Sequence, residues 1–398
     1  MNNLNKGKSP FYPGQPVPVE FFTGRRDEIQ LITRAIREVE LGKPRAVFLT
    51  GEYGIGKSSL ASYTKGYAEE NNHLLAIHVF LGGAQTLEDL ATKTIEAALK
   101  TSIYEPSITE KLRNFLAKYI NKQELFGFSI NFQVLQSDAP NISHGYLPFL
   151  TNIFDRLREN GIKGIMLILD EINGITKNPK FSHFIKGLVD ENATSRNPLP
   201  LMLMLCGVEE RRMEMINHHQ PVERIFEIVK IKSMDETEMK AFFNKSFGSA
   251  GIKVKDEAMA LLCYYSAGFP KMMHIIGDTI FWINQDDVVD KDDVTRGILI
   301  AAKDIGEKFV DQQVYKALRS KDYHSILTKL GKESFDLSFH KSLMEKGLAE
   351  IEKKKFANFL QRMKKLKVLS SGDERGEYIF NSRLVRLYIM LNSLGERR

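Results

Sequence analysis

A glycine-rich segment at residues 51–58 has the residue types and spacing needed to hold phosphate groups. It reads Gly51-Glu-Tyr-Gly-Ile-Gly-Lys57-Ser58 and matches the pattern G-x-x-x-x-G-K-[ST] at every fixed position. Its glycines permit a tight turn whose backbone N–H groups converge on an anion at a helix N-terminus. We predict that ATP and Mg²⁺ bind here, with Lys57 on the β- and γ-phosphates and Ser58 on the metal. The predicted nucleotide-binding residues of this segment are Gly51, Glu52, Tyr53, Gly54, Ile55, Gly56, Lys57, Ser58 and Ser59.

A pair of carboxylates follows an apolar run at residues 164–171. Five consecutive apolar residues precede Asp170 and Glu171, which is typical of a parallel strand covered on both faces. Such a pair is often only a helix cap, but a phosphate-binding segment in the same chain favours a catalytic interpretation. We predict that Asp170 holds Mg²⁺, through water, and that Glu171 orients or deprotonates the attacking water. Together with Lys57, these residues form the predicted catalytic group.

The pattern of the surrounding segments predicts a three-layer α/β domain with a parallel sheet. Strand-like and helix-like stretches alternate from about residue 20 to residue 235, which is the rhythm of such domains. The predicted strands are 46–50, 73–80, 165–169, 201–205 and 225–231. Helices are predicted at about 27–41, at 86–100 and over much of 108–122 and 145–160, and an exposed ribbon or hairpin is predicted at 125–134.

The length of 398 residues exceeds one ordinary core and predicts several domains. Residues 1–20 are polar and rich in proline, so we expect an extended arm leading into the first domain. An ATP-binding domain is predicted at 21–234. After Asp235 the strands disappear, which predicts a small helical domain at 235–306. The remaining residues, 307–398, follow a different plan.

Basic charge is concentrated near the C-terminal end of the chain. Residues 320–398 contain 17 Lys and Arg against 10 Asp and Glu, a net charge of +7, whereas the remainder has 39 against 40. The net charge of +6 for the whole chain therefore belongs to this part. Such a distribution suggests a module for binding polyanions joined to a nearly neutral nucleotide-binding domain.

The same C-terminal region has the pattern of a winged helix. Helical segments are predicted at 322–330, 339–346 and 353–366, and two short strands around a turn at 368–380. The third helix of this motif commonly enters the DNA major groove, and charged and amide side chains lie on its predicted outer face. The expected contacts with double-stranded DNA are Lys354, Asn358, Gln361, Arg362, Lys365 and the wing residue Arg375. A winged helix that binds a protein partner remains an alternative, because the fold does not fix the function.

The two cysteines, Cys206 and Cys263, both lie in apolar runs and resemble small core residues. They give no disulfide framework and no zinc spacing. No apolar run is long enough to cross a membrane, and the first twenty residues lack a signal core. We therefore expect a cytoplasmic protein without a membrane partner.

Several spaced motifs resemble those of the AAA+ ATPases of the replication-initiator branch and of the related STAND and archaeal-type ATPases. Phe22-Thr-Gly24-Arg25-Arg-Asp-Glu28 resembles the family's "F-x-G-R-x-x-E" box, which implies that Gly24 and Arg25 help to form an adenine pocket. Gly268-Phe-Pro270-Lys271 resembles the "G-x-P-R" sensor of a helical lid and implies nucleotide contacts from Pro270 and Lys271. The order of domains agrees with the family along nearly the whole chain.

The resemblance also implies an arginine that acts on the nucleotide of a neighbouring subunit. Arg211, Arg212 and Arg224 lie where the family places it, and Arg224 ranks first because it closely precedes the last predicted strand. Two positions depart from the family, namely Cys206 in place of a polar first sensor and Lys271 in place of arginine. Both departures are compatible with slow hydrolysis, in which the nucleotide acts as a switch.

Three functions follow as hypotheses, of which a small-molecule kinase ranks lowest because a basic winged helix and a lid sensor have no use there. The first is an ATP-hydrolysing, DNA-binding protein that assembles into a homo-oligomer when ATP is bound, in a replication, transposition, mobile-element or defence setting. The second is a STAND-like signalling switch whose winged helix binds a protein. The salt dependence of duplex binding separates these two, because phosphate contacts make affinity fall steeply with salt.

Overall fold

The computed structural model describes residues 6–18, 21–101, 110, 112, 114, 120–121, 129–130, 142–333 and 336–395. Within it the chain forms two compact units. The first unit is Pro16–Lys232, and the second combines Met1–Gln15 with Ser233–Arg398. No helix in the described ranges is both long and apolar enough to span a membrane.

The first unit is built around a five-stranded sheet in which every strand pairs in parallel. Its helices are α1 Arg26–Glu40, α2 Lys57–Asn72, α3 Leu87–Lys100, α4 Ile142–Leu157, α5 Pro179–Thr194 and α6 Glu209–His218. Its strands are β1 Arg45–Thr50, β2 Leu74–Phe80, β3 Ile120–Asn121, β4 Ser129–Ile130, β5 Gly164–Asp170, β6 Leu201–Gly207 and β7 Glu227–Lys230. The order β2-β5-β6-β1-β7 confirms the predicted three-layer parallel α/β fold.

The central strands are buried because helices cover both faces of the sheet. All seven residues of β5 and all seven of β6 are buried, so the continuous apolar runs that predicted these strands face a dry interior on both sides. Polar residues interrupt the runs only where the strands end. These carboxyl ends lie along one edge of the sheet, because the strands are parallel.

The helix predicted at 108–122 and the ribbon predicted at 125–134 fall mostly outside the described residues. Within those ranges, β3 and β4 form a short antiparallel pair in which Ile120 lies opposite Ile130. Residues 120–121 are extended, so the helix that was predicted over much of 108–122 does not include them.

The second unit begins with helices whose apolar core is continuous with that of the rest of the unit. They are α7 Glu236–Ser249, α8 Asp256–Ser266, α9 Pro270–Ile283 and α10 Lys291–Ile305, and α10 continues into a π-helical segment at Gly306–Tyr315. Two short parallel strands, β8 Lys253–Val254 and β9 Val288–Val289, connect these helices. The expectation that strands disappear after Asp235 is therefore wrong in this detail.

A winged helix completes the second unit. Its elements are α11 Lys321–Lys332, β10 Ser338–His340, α12 Lys341–Lys346, α13 Glu350–Lys365, β11 Leu369–Ser371, β12 Glu377–Phe380 and α14 Arg383–Gly395. The three strands form one antiparallel sheet in the order β10-β12-β11. Residues 339–340, predicted to begin a helix, instead pair with β12, because the wing gains a third strand there.

Residues 6–15 pack within the second unit, although the sequence suggested an arm leading into the first domain. Phe11 is buried against α9, where a side chain at Gly277 would come within 2.2 Å of the phenyl ring. The Ser9 hydroxyl bonds the Asp278 carboxylate at 2.6 Å, and the Tyr12 backbone N–H donates to Nδ1 of His274 at 3.2 Å. Glycine at 277 therefore makes room for an aromatic anchor from the start of the chain.

Candidate functional site

The phosphate-binding segment forms a tight loop between β1 and α2. Gly54 and Gly56 have φ angles of 78° and 100°, a left-handed conformation that costs glycine little and other residues much more. Gly56 is also the residue at which the helix starts. The backbone N–H groups of the first turn of α2 therefore remain available to an anion, as the sequence pattern requires.

Lys57 folds back over its own loop. Its ammonium donates to the carbonyl oxygens of Gly51 and Glu52, both at 2.8 Å, and lies 5.6 Å from the centre of the Tyr53 ring. The ammonium is thereby held at the mouth of the loop.

Arg25 supports the loop from behind. The side chain is only 4% exposed, and its guanidinium donates to the carbonyl oxygen of Ile55 at 3.0 Å and to that of Lys232. Gly24 and Arg25 both have left-handed φ angles, so the chain turns sharply just before α1. The described contacts of Arg25 fix the shape of the loop, and a contact with adenine stays a prediction.

Asp170 lies at the carboxyl end of β5, buried to 2% exposure. One carboxylate oxygen accepts the backbone N–H of Glu171 at 2.8 Å, and the other lies 3.3 Å from Nε2 of His78. The His78 ring in turn stacks on Phe80 at a centroid distance of 4.3 Å. The orientation of the carboxylate is therefore fixed by its own backbone and by a side chain of β2.

Glu171 has a left-handed φ angle of 57°, which is uncommon for a residue with a side chain and often marks a functional position. Its exposed carboxylate lies over Gly82, at the edge where β2 and β5 end. The strained turn therefore points a carboxylate away from the buried strand and toward solvent at the loop edge of the sheet.

Cys206 lies near the end of β6, the strand between β5 with its Asp170 and β1 with the phosphate loop. Burial raises the pKa of its thiol well above the ordinary value, the Asp170 carboxylate raises the pKa further, and the Lys57 ammonium opposes this effect. Both charges thus act at the end of β6. Since Cys206 is fully buried and its thiol stays protonated, it offers no charge to a nucleotide.

The predicted magnesium ligands suit that metal chemically. Ser58 is half-buried in the first turn of α2, and Asp170 supplies a buried carboxylate at the end of β5, which is two strands from β1 in the sheet. Mg²⁺ prefers oxygen ligands of this kind and commonly takes one or two from the protein, with phosphates and water completing its shell. No cluster of three or more His, Cys, Asp or Glu side chains that could hold a metal occurs in the described ranges.

The three candidate arginines differ in their surroundings. Arg211 is paired with Glu214 at 2.7 Å and Arg212 with Glu209 at 2.6 Å, both within α6. Arg224 is exposed at the end of a short 3₁₀ helix, and no ion pair to it is found among the described residues. It precedes β7, which runs parallel to β1, so it lies at the edge of the sheet opposite the phosphate loop.

Sequence reasoning missed the side chains that support this site. Glu209 accepts from the Thr50 hydroxyl at 3.2 Å, and hydrogen bonds from Arg212 lower its pKa. His78 lies 92 residues from Asp170 in sequence. A polar residue within an otherwise apolar strand, as His78 is, was the one available signal.

The remaining predicted nucleotide contacts and the predicted DNA contacts lie in the second unit. Pro270 begins α9 and Lys271 is exposed in its first turn. The α13 residues Phe356, Phe359, Leu360 and Met363 are fully buried, which turns the opposite face outward. All six predicted DNA-contacting residues are exposed: Lys354, Asn358, Gln361, Arg362, Lys365 and Arg375.

The parallel sheet, the glycine loop before α2 and the acidic pair after β5 define a P-loop nucleoside triphosphatase. Residues 22–176 match the family model of the AAA ATPase domain. This part of the chain is therefore an AAA ATPase domain, and the protein is an ATPase.

Solved structures share the fold over almost the whole chain. The ORC2 protein of Aeropyrum pernix, solved with ADPNP and ADP, is 12% identical, with 98% of this chain and 97% of that chain covered and a TM-score of 0.59. A Walker-type ATPase of Pyrococcus abyssi is 17% identical, with 92% and 96% covered and a TM-score of 0.54. At such identities the likeness concerns the fold alone. No curated protein sequence matches the chain.

Proposed function

We propose that the protein is a DNA-binding AAA+ ATPase in which ATP controls self-assembly on duplex DNA. The observation that carries the proposal is the combination of an ATPase site in one unit with an exposed basic helix, α13, in the other. A P-loop enzyme acting on a small molecule has no use for such a helix. The Aeropyrum protein of the same fold was solved with ADPNP and ADP, which supports ATP as the nucleotide.

At the ATPase site, the loop N–H groups and Lys57 would bind the β- and γ-phosphates and stabilise the negative charge of the transition state. Glu171 would hold the attacking water in line and accept its proton. Ser58 and Asp170 would hold Mg²⁺, which neutralises phosphate charge when bound. Each role suits the position that the structure gives to its residue.

At the DNA face, Lys354, Arg362 and Lys365 would neutralise phosphates. Asn358 and Gln361 are the base-reading candidates, because a side-chain amide can pair with the N6 and N7 edge of adenine. Arg375 lies on the turn between β11 and β12, where its backbone carbonyl accepts a hydrogen bond from Nε2 of His340 at 3.1 Å. That bond ties the wing to the strand before α12.

The proposal is tested by binding of the full-length protein to a mixed-sequence duplex at several salt concentrations, with ADP or with a slowly hydrolysed ATP analogue. We expect steep salt dependence, tighter binding with the analogue, and loss of binding in R362E/K365E. The control is K240E/K245E, which changes the net charge equally on α7.

Two results would contradict this proposal. One is duplex affinity that R362E/K365E leaves equal to that of the control. The other is an absence of duplex binding at low salt while ATP still promotes self-association, which would favour the switch whose winged helix binds a protein.

A further inference from the structure

A cleft of about 790 Å³ opens beside α13 in the second unit. Arg362 and Lys365 of α13 line one part of it, and Lys316 and Arg319, which follow the π-helical segment, line another. The latter two residues lie before the first helix of the winged helix. The cleft therefore extends beyond the surface that the sequence predicted for DNA.

The charge in this cleft is uncompensated. No acidic residue lines it, and none of its four cations forms an ion pair within the described ranges; Lys316 donates to the neutral side-chain amide of Gln312. Among neighbouring lysines, Lys355 is paired with Asp322, whereas Lys364 donates to the neutral hydroxyl of Ser371. Lysines elsewhere on these helices are also paired with acids: Lys303 with Glu307, Lys308 with Asp304 and Lys353 with Glu350.

The uncharged lining is also suited to nucleic acid. Asn358 and Gln361 carry amides that can donate and accept hydrogen bonds, and Tyr323 contributes a half-buried ring. That ring is fixed by edge contact with Phe359 at a centroid distance of 5.7 Å. Four free cations, two amides and one fixed aromatic ring in a concave site match a sugar–phosphate strand better than an apolar partner.

We infer that this cleft seats the sugar–phosphate backbone of one strand of bound DNA, with Lys316 and Arg319 as phosphate contacts outside the winged helix. The inference rests on the proposed DNA-binding function and enlarges its footprint to the segment that joins α10 to α11. Phosphates on the strand would face cations on both sides of the cleft. Contacts with phosphates do not distinguish one base from another, so they would add affinity without sequence specificity.

The test compares K316Q/R319Q with R362Q/K365Q and with the control K303Q/K308Q, all as full-length protein. Binding to a mixed-sequence duplex of about 20 base pairs is measured over a range of potassium chloride. Each lost phosphate contact lowers the slope of log affinity against log salt by about 0.9. We expect K316Q/R319Q to lower it by about 1.8 and to weaken binding about 10- to 50-fold near 0.1 M salt.

A second pair of variants separates charge from folding. K316R/R319K keeps both charges, so its affinity and its salt slope should stay close to those of the wild type. If substitution at these positions damaged the fold, K316R/R319K and K316Q/R319Q would both bind more weakly. Preference between duplex sequences should be unchanged in K316Q/R319Q, because phosphate contacts do not read bases.

Three results would overturn the inference, and they are distinguishable. If K316Q/R319Q matches the control while R362Q/K365Q loses affinity, DNA binding stands and the cleft does not take part. If the wild-type protein shows no salt-dependent duplex binding, the proposed function fails as well. If poly-glutamate binds with the same dependence on Lys316 and Arg319 and the duplex does not, the cleft serves an acidic protein segment.

Discussion

Lys57 meets two carbonyl oxygens of its own loop, and nucleotide binding must exchange these hydrogen bonds for bonds to phosphate. The exchange is favoured because an anionic phosphate oxygen attracts the ammonium by direct charge–charge interaction, whereas a carbonyl oxygen carries only a partial charge. We therefore expect the Lys57 ammonium to bind the phosphates of the nucleotide.

We expect Lys57→Ala to abolish detectable ATP binding or to lower turnover by about 10²–10³-fold, in the range of losing one transition-state donor. Calorimetric titration with ATP and a phosphate-release assay measure the two effects. Lys43→Ala, at an exposed lysine, should leave both unchanged. Wild-type affinity and turnover in Lys57→Ala would remove the loop from the mechanism.

Glu171 is exposed, whereas Asp170 is buried. A change at Glu171 can therefore test hydrolysis separately from ATP binding. In Glu171→Gln the shape at the left-handed turn is kept and the proton acceptor is lost. We expect ATP affinity within about threefold of wild type and turnover reduced by about 10²–10⁴-fold, as for loss of a general base. Glu210→Gln is the matched control, since Glu210 is exposed at the start of α6. Normal hydrolysis by Glu171→Gln would assign the base to another residue.

At the scale of elements, His274 makes the packing of the N-terminal segment on α9 sensitive to pH. Burial lowers the pKa of its imidazole to about 4 from 6.5, and the Tyr12 N–H donates to Nδ1, which requires the neutral ring. Between pH 6.5 and pH 4, His274 is protonated in the unfolded chain but stays neutral in the folded one. Stability is therefore full above pH 6.5 and is lost as the pH falls toward 4.

We expect unfolding free energy to drop by about 2 kcal/mol between pH 7.5 and 5 because of this group. Fluorescence of Trp282, the single tryptophan of the chain, reports the unfolding of α9 in urea. His274→Asn should flatten the pH dependence by that amount, whereas His324→Gln in the same unit should preserve it. If His274→Asn keeps the pH dependence of the wild type, protonation of the His274 ring does not cost the folded protein stability.

The sequence was sufficient to predict those elements whose pattern is contained in consecutive residues. The apolar runs of β5 and β6 and the glycine spacing before α2 are local, so strands, loop and acidic pair were all predicted. Partners brought together only by folding were not. Arg386 is an example, since its buried guanidinium bonds the carbonyl oxygen of Glu333, 53 residues away, at 3.1 Å.

Short elements were also difficult to predict, because they contain too few residues to show a periodic pattern. β10 has three residues and pairs with β12 only once the wing has formed, so its sequence had no alternation long enough to distinguish it from helix. The two-residue strands β8 and β9 were missed for the same reason. The ends of short elements depend on neighbours that the local sequence does not contain.

At the scale of the whole molecule, the position of Arg224 bears on assembly. It lies at the opposite edge of the sheet from its own phosphate loop, so we expect any nucleotide that it contacts to belong to another copy. Arg211 and Arg212 already have carboxylate partners within α6. Of the three, Arg224 is therefore the residue that we expect to act between subunits.

We expect ATP to increase the sedimentation coefficient of wild-type protein and Arg224→Ala to lower turnover by about 10³-fold or more, as for loss of an arginine finger. An equimolar mixture of Arg224→Ala with Glu171→Gln should regain activity, because each subunit supplies what the other lacks. Arg211→Ala is the control. A monomer under all conditions, or no recovery on mixing, would exclude action between subunits.

The burial of Phe11 against α9 also sets an order of events during synthesis. Tyr12 and its partner His274 are 262 residues apart, so the segment leaves the ribosome long before its binding groove exists. At about 5–20 residues per second, the interval is on the order of 10–50 s. Throughout that time a segment with two adjacent aromatic residues is exposed and available to chaperones, while the first unit can fold from residues already made. Phe11 and Tyr12 can thus reach their native places only after α9 has been synthesised.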